Sequence, residues 1–188
     1  MTAARLIVQR CGADGVDPIH RLHRDCFDPR SGEYWRRPDL QRVFGQRGVA
    51  GYLATPDGDG RALGYALVRC LQDEAEILSL GVAKAARRQG VARQLLREMV
   101  TELAGRGIRY VFLEVRENNM EARDLYSREG FHVVGRRSDY YLLGNGQRID
   151  GLTMLLNTQA FLVHRKRKSG AGRPGEETTG AFGADEKN

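Results

Sequence analysis

The stretch from Glu76 to Val100, EILSLGVAKAARRQGVARQLLREMV, constrains this chain more than any other. It opens with an apolar run, Ile77 to Val82, that reads as a buried strand. A basic, glycine-containing turn follows, Arg87-Arg88-Gln89-Gly90-Val91-Ala92. Beyond the turn, Val91, Leu95, Leu96, Met99, Val100 and Leu103 recur at the i, i+4, i+5, i+8 spacing of one buried helix face. A strand, a short polar turn and a helix leave unpaired backbone N–H groups at the helix N-terminus, where the helix dipole also favours negative charge. Such a place suits a phosphate. Gly90 and Ala92 are small enough for a ligand to approach the main chain. Arg87, Arg88 and Arg93 add charge-assisted donors around it. The stretch is expected to form a pyrophosphate cradle.

The segments on either side supply the rest of an α/β domain. Leu6 to Gln9 reads as a first strand, and Asp17-Pro18 opens a helix with Asp17 as N-cap and Pro18 at its first position. Ile19, Leu22 and Cys26 share one face of that helix. A polar loop from Cys26 to Trp35 leads to a second short helix near Arg37-Pro38. Val49 to Thr55 and Leu63 to Leu71 flank the glycine-rich loop Pro56 to Gly60, and with Glu74 to Val82 they predict three consecutive antiparallel strands. The Val91 helix ends at Gly105-Arg106-Gly107, and Tyr110 to Val115 is the next strand, so the strand–helix–strand unit implies parallel neighbours. Asn119 to Glu129 reads as a helix closed by Gly130. Phe131 to Val134, continuing toward Tyr141, pairs with Leu152 to Leu156 around Gly144-Asn145-Gly146. The expected order is β α α β β β α β α β β, a mixed sheet of about seven strands with helices on both faces. The domain is expected to span residues 1–158. Residues 159–188 are expected to be a basic and then low-complexity tail, disordered from Ser169 onward, with RNA contact by His164 to Lys168 left open.

Composition bounds the function classes. A chain of 188 residues is one domain. It lacks the roughly 18 consecutive apolar residues of a membrane span, and its first ten residues contain no signal-peptide core, which points to the cytoplasm and away from membranes. Cys11, Cys26 and Cys70 are odd in number and widely spaced, the pattern of free thiols in a reducing compartment and not of a metal site. The net charge of +6 suits an anionic partner, either a phosphorylated cofactor or RNA.

Arg87-Arg88-Gln89-Gly90-Val91-Ala92 fits the Arg/Gln-x-x-Gly-x-Gly/Ala signature of the GCN5-related N-acetyltransferases. The residues after it keep that family's order: Phe112-Leu113-Glu114-Val115-Arg116, then Asn119, Asp124-Leu125-Tyr126, Glu129-Gly130-Phe131 and Tyr140-Tyr141. From about Asp73 to Leu156 the chain resembles this family. Within it, the series is similar to the bacterial ribosomal-protein-alanine N-acetyltransferases and other N-terminal acetyltransferases. The resemblance implies acetyl-CoA as co-substrate and no metal. It places the main chain of Leu80, Gly81 and Val82 along the pantetheine arm, Arg88, Gln89, Gly90, Val91, Ala92 and Arg93 on the diphosphate, and Asn119 on the pantetheine. It makes Glu114 the proton acceptor and Tyr126 the donor to the departing thiolate. It sets Tyr140, Tyr141 and Trp35 beside the acceptor.

The residues alone leave alternatives open at each of these positions. Alternation sets Phe112 and Glu114 on one face of their strand, where Glu114 could equally be an ion-pair partner for Arg116 or another basic residue. Tyr126 carries a phenol of pKa about 10, protonated at neutral pH, but a lone helical tyrosine is more often core. Asn119 suits an N-cap as well as a ligand contact. Gly81, in so apolar a run, marks a bulge or a close approach. Phe27, Tyr34, Trp35, Tyr140 and Tyr141 also read as aromatic packing.

Amide formation from a thioester needs an unprotonated amine, a polarised carbonyl and a neutralised thiolate. An α-amine of pKa about 7.7–8.0 is easier to deprotonate than lysine at about 10.4 by roughly 3 kcal/mol, so one carboxylate acting through water suffices for it. The implied function is transfer of acetyl from acetyl-CoA to the N-terminal α-amine of a protein, with a small-subunit ribosomal protein as favoured acceptor. Lysine or small-amine acetylation, and a non-catalytic CoA-sensing or ribosome-associated module, are the alternatives.

Overall fold

Seven strands form one sheet in the order β1-β2-β3-β4-β5-β7-β6. The computed structural model describes residues 6–29, 33–57, 60–144 and 146–170, with side chains as far as 167. Along the chain these are β1 (Leu6–Cys11), α1 (Val16–Cys26), α2 (Arg37–Phe44), β2 (Val49–Pro56), β3 (Gly64–Leu71), β4 (Glu74–Val82) and α3 (Val91–Gly105). Then come β5 (Tyr110–Arg116), α4 (Met120–Arg128), β6 (His132–Leu142), β7 (Arg148–Asn157) and α5 (Thr158–Gly170). Strands β1 to β4 are antiparallel, β4 and β5 are parallel, and β7 inserts between β5 and β6. The α/β fold expected from the sequence is the one observed.

Two apolar layers hold the sheet. On one face the expected stripe of α3 is buried throughout, Val91, Leu95, Leu96, Met99, Val100 and Leu103, against Ala66, Val68, Ile77, Val111 and Leu113 of the central strands. Each such side chain contributes roughly 1.5–3 kcal/mol relative to exposure. On the other face Ile19 and Leu22 of α1 and Leu40 of α2 pack on Tyr65 and Leu67 of β3. Period-2 alternation in β5 therefore sends Val111, Leu113 and Val115 toward α3 and leaves Phe112, Glu114 and Arg116 on the α1 face.

The feature that makes a site is a parting of the sheet at its centre. β4 and β5 pair only from Glu74 to Ile77 and from Tyr110 to Leu113. Just beyond, β4 carries a bulge: Ile77 faces Val68 and Ser79 faces Leu67, so Leu78 is the extra residue. A bulge bends and twists its strand. β4 follows β3 while β5 follows β7, and a cleft opens between Leu78–Val82 and Glu114–Arg116.

Two expectations change. Asp17 does not cap α1, which starts at Val16 after Gly15. Its carboxylate accepts from Arg37 Nε at 2.7 Å and ties α1 to α2, a competing use for a short acid in the first turn. The boundary at 158 also moves. Thr158 to Gly170 is helical, with the Thr158 Oγ1 donating to the Ile108 carbonyl at 2.7 Å and Phe161 buried against the α3 layer. Within the expected basic cluster, Arg165 is engaged internally, donating to Thr101 at 2.6 Å and Glu98 at 2.8 Å on α3. The apolar residues of this helix, Ala160 to Val163, form one short run without helical periodicity, which concealed it; Phe161 and Leu162 pack on the core. Residues 171–188, most of the expected disordered segment, lie outside the described residues.

Candidate active site

The turn into α3 has the backbone of an anion cradle. Gly90 is the N-cap, left-handed at φ 82°, with no side-chain cap, and a Cβ placed there would meet nothing within 4 Å. Arg88 is also left-handed, at φ 62°, which costs a non-glycine residue roughly 1–2 kcal/mol. Left-handed backbone of this kind builds anion-binding nests. The first hydrogen bond of the helix runs from the Gln94 N–H to the Gly90 carbonyl, so the N–H groups of Val91, Ala92 and Arg93 have no intrahelical acceptor.

The side chains around this cradle are committed in part. Arg93 does not extend over the turn: its Nε donates to Glu129 Oε1 at 2.7 Å, while Arg97 donates to the other oxygen at 2.6 Å. The Glu129 side chain is only 2% exposed, and a buried carboxylate demands this pairing. The Arg93 guanidinium is thus engaged by Glu129, while its main-chain N–H stays among those without an intrahelical acceptor. Arg87 points its Nε at the Val82 carbonyl, and Gln89 donates to the Ala85 carbonyl at 2.9 Å. Arg88 makes only a surface pair with Glu121 at 3.4 Å, the weakest kind of tie.

Leu80, Gly81 and Val82 line the β4 side of the cleft, their other edge paired with Ala66, Tyr65 and Gly64. The bulge sits at Leu78, three residues before Gly81. A Cβ on Gly81 would lie 2.6 Å from Tyr65 Cε1 and 2.9 Å from Cys26 Sγ, so this glycine makes room for a tyrosine of the adjacent strand and a cysteine of α1. Asn119 caps α4, its Oδ1 accepting from the Ala122 N–H at 3.2 Å, which leaves its amide NH2 for other partners.

Glu114 and Tyr126 reach the cleft region from opposite sides of the sheet. Glu114 is half-buried on the α1 face, where Oε1 accepts from Arg137 Nη1 at 2.7 Å; the basic partner is thus Arg137 of β6, while Arg116 pairs with Glu33 at 2.7 Å. Arg137 lies 3.7 Å over the Tyr140 ring, and Arg116 lies 5.2 Å over the Tyr141 ring. A hydrogen bond to Glu114 raises the Tyr140 phenol above its ordinary pKa. Gly151 of β7 lets both tyrosines cross it, since a Cβ there would stand 3.0 Å from Tyr140 Cδ1. A depression of about 330 Å³ continues along the same face, lined by Arg69, Glu74, Glu76, Phe112, Glu114 and Thr153. Tyr126, on α4, is buried beside Phe131 with ring centroids 5.5 Å apart, and burial pushes its phenol up to about 12. Its proton is firmly held at neutral pH.

The acetyltransferase (GNAT) family pattern matches residues 16–131. The chain belongs to that family. A [ribosomal protein bS18]-alanine N-acetyltransferase of Haemophilus ducreyi is 36% identical to it over 94 residues, 50% of this chain and 65% of the relative. The chain thus spans just under two thirds of the length of the first curated relatives it matches. The crystal structure of the ribosomal-protein-S18-alanine N-acetyltransferase from Escherichia coli superposes with a TM-score of 0.73 at 23% identity, covering 82% of this chain and 94% of that one. Arabidopsis thaliana NAA60 in complex with acetyl-CoA gives a TM-score of 0.68 at 23% identity, over 81% and 98% of the two chains. These two share the fold.

One buried group on the α1 face of the sheet escaped the sequence. His23 of α1 is fully buried, its ring stacked on Phe27 at 4.4 Å and flanked by Tyr34 at 5.5 Å and Trp35 at 6.0 Å. Phe27, Tyr34 and Trp35 thus surround one imidazole. Its place four residues after Ile19 and three before Cys26 put it on the apolar face of α1, which was the available signal.

Proposed function

We propose that this protein is an acetyl-CoA-dependent N-acetyltransferase acting on the N-terminal α-amine of a protein, with a small-subunit ribosomal protein as the favoured acceptor and the cytoplasm as its compartment. The observation that carries the reading is the cleft between β4 and β5, with the uncapped Gly90 turn at one side and the Glu114–Arg137–Tyr140 group on the opposite face of the sheet. The names of the relatives, bS18-alanine N-acetyltransferases, support the choice of acceptor.

In this reading acetyl-CoA supplies an activated acyl thioester. The N–H groups of Val91, Ala92 and Arg93, with Arg88, bind its diphosphate. The main chain of Leu80, Gly81 and Val82 and the Asn119 amide orient the pantetheine. Tyr140, Tyr141 and Trp35 hold the first residues of the acceptor. Glu114 takes the proton of the attacking amine through a water, and Tyr126 donates to the thiolate as the C–S bond breaks and the C–N bond forms. One proton enters at Glu114 and one leaves Tyr126, so exchange with solvent restores both groups.

The deciding experiment incubates the full chain with acetyl-CoA and a library of peptides carrying both a free N-terminus and an internal lysine, and reads the products by mass spectrometry. The expected product gains one acetyl group on the α-amine. Predominant acetylation of lysine side chains would overturn the acceptor assignment, and no acetylation of any peptide would overturn the activity.

A further inference from the structure

Behind the cleft runs a chain of buried hydrogen bonds whose direction can be read from one donor. The Trp35 backbone N–H, which can only donate, gives its hydrogen to His23 Nε2 at 2.8 Å. Nε2 is therefore unprotonated, and in the neutral ring the proton sits on Nδ1. Burial favours that neutral form, holding the His23 pKa down to about 4. Nδ1–H then donates to the Tyr65 hydroxyl at 2.6 Å, and Tyr65 must pass its own hydrogen to Ser79 Oγ at 2.8 Å. The output of the chain is the Ser79 hydroxyl hydrogen, for which no further acceptor is found among the described residues.

This chain sits at the joint of the site. Ser79 and Gly81 lie on β4 immediately beyond the Leu78 bulge, on the same face as Tyr65. Tyr65 is fully buried, and its phenol lies well above the ordinary range through burial first, with Cys26, Tyr126 and Glu33 as lesser neighbours pushing the same way. The Tyr65 hydroxyl thus joins His23 of α1 to Ser79 of β4. At the other end His23 grips the main chain of Trp35, two residues from Glu33, whose carboxylate pairs with Arg116 beneath Tyr141. The groups facing His23 are Tyr65, Tyr34 and the Glu33 carbonyl, with His20 on its own helix.

We propose that His23 is a positioning residue for the acceptor: with one nitrogen it fixes the Glu33–Trp35 wall of the entrance, and with the other, through Tyr65, it aims the Ser79 hydroxyl as a donor on the acceptor face of the cleft. This inference rests on the acetyltransferase reading above, deepens it, and names residues outside the motif that carries the family resemblance. Breaking the chain affects acceptor binding and leaves the diphosphate cradle, on the far side of the sheet, untouched.

The test uses the full chain with Tyr65→Phe, Ser79→Ala, His23→Asn and His23→Gln, and the best α-amine peptide of the library. Tyr65→Phe and Ser79→Ala each remove a single oxygen, so they report even where a His23 variant fails to fold. Each is expected to raise the acceptor KM about 5- to 10-fold, the scale of one buried hydrogen bond, with kcat within about twofold. The affinity for CoA by calorimetry is expected to be unchanged. His23→Gln, whose side-chain oxygen reaches toward the Nε2 position, should recover more of the acceptor KM than His23→Asn. Unchanged acceptor KM in Tyr65→Phe and Ser79→Ala would overturn the proposal, as would an equal loss of CoA affinity, which signals general loosening.

A readout independent of turnover is the emission of Trp35, the only tryptophan of the chain. An imidazolium beside an indole quenches it. Emission should hold steady through the ordinary histidine pKa of 6.5 and drop only near pH 4, and His23→Gln should abolish the drop. Quenching centred near 6.5 would place His23 in water and sink the relay even if the enzyme acetylates peptides as expected.

Discussion

The two sides of the cleft are built by different means. The side proposed for the cofactor comes from one unbroken stretch, Ile77 to Gly105, in which strand, turn and helix follow one another and the free donors belong to the main chain. The side proposed for the acceptor is assembled from side chains of α1, the segment before α2, β5 and β6, brought together by Arg116–Glu33, Arg137–Glu114 and the His23 hydrogen bonds. Backbone geometry tolerates most substitutions, so the first side keeps a readable signature. A network of side chains drawn from distant segments forms no contiguous pattern, so the second side leaves only aromatic residues as hints in the sequence.

The contrast can be broken or sharpened by experiment. The largest effect tests whether the cofactor side is as self-contained as its sequence suggests, because α5 packs beneath α3. Phe161→Ala should cost roughly 3–5 kcal/mol in denaturant unfolding, the usual loss for a buried phenylalanine. A loss under about 1 kcal/mol would return α5 to the status of a tail.

Next comes the acid dependence of the acceptor side. His23 titrates near 6.5 when unfolded and near 4 when folded, so between these values only the unfolded chain binds the proton. Stability therefore falls as pH drops from 6.5 to 4, by roughly 3 kcal/mol in all, and His23 contributes no pH dependence above that window. His23→Gln should flatten the interval; an unchanged slope there would show that other groups carry it.

Tyr126→Phe should lower turnover by about 10²-fold with CoA affinity retained, the scale of one proton transfer. Equal turnover in the two proteins would remove Tyr126 from the chemistry. Two glycines of the Ile77–Gly105 stretch come next. Gly81→Ala should destabilise by roughly 1–3 kcal/mol through its clash with Tyr65 and Cys26. Gly90→Ala, with space around it but φ at 82°, should cost only about 1–2 kcal/mol and weaken CoA binding in addition. The smallest effect is expected at Arg93→Ala, which should change CoA affinity less than Arg88→Ala does, because Glu129 already holds the Arg93 guanidinium. The reverse order would show that Arg93 swings to the diphosphate on binding.

Legibility followed the same division. The spacing of Val91 to Leu103 defined α3, and every one of those residues is buried. Asn119 read as a cap and is one. Alternation set Glu114 apart from Leu113 and Val115, and the two faces of β5 obey it. Gly81 was legible as special, yet its reason, the Tyr65 ring, lies on another strand. The counter-ion of Glu114 was open between Arg116 and other basic residues, and the fold chose Arg137, 23 positions away along the chain. Arg93 read as a donor beside the turn, and what the sequence could not show is that its guanidinium pairs with Glu129, 36 positions on.

By itself, the amino-acid sequence determined the strands and helices from β1 to β7, the apolar face of α3, and that the turn at Gly90 leaves backbone N–H groups free at a helix N-terminus. These follow from periodicity and local backbone chemistry, which neighbours in sequence dictate. Only the tertiary structure decided that β4 leaves β5 at the Leu78 bulge, that α5 completes the core, and that His23 faces Tyr65 and Trp35. Those outcomes depend on which buried polar group finds a partner once distant segments have packed, and no local pattern encodes that choice.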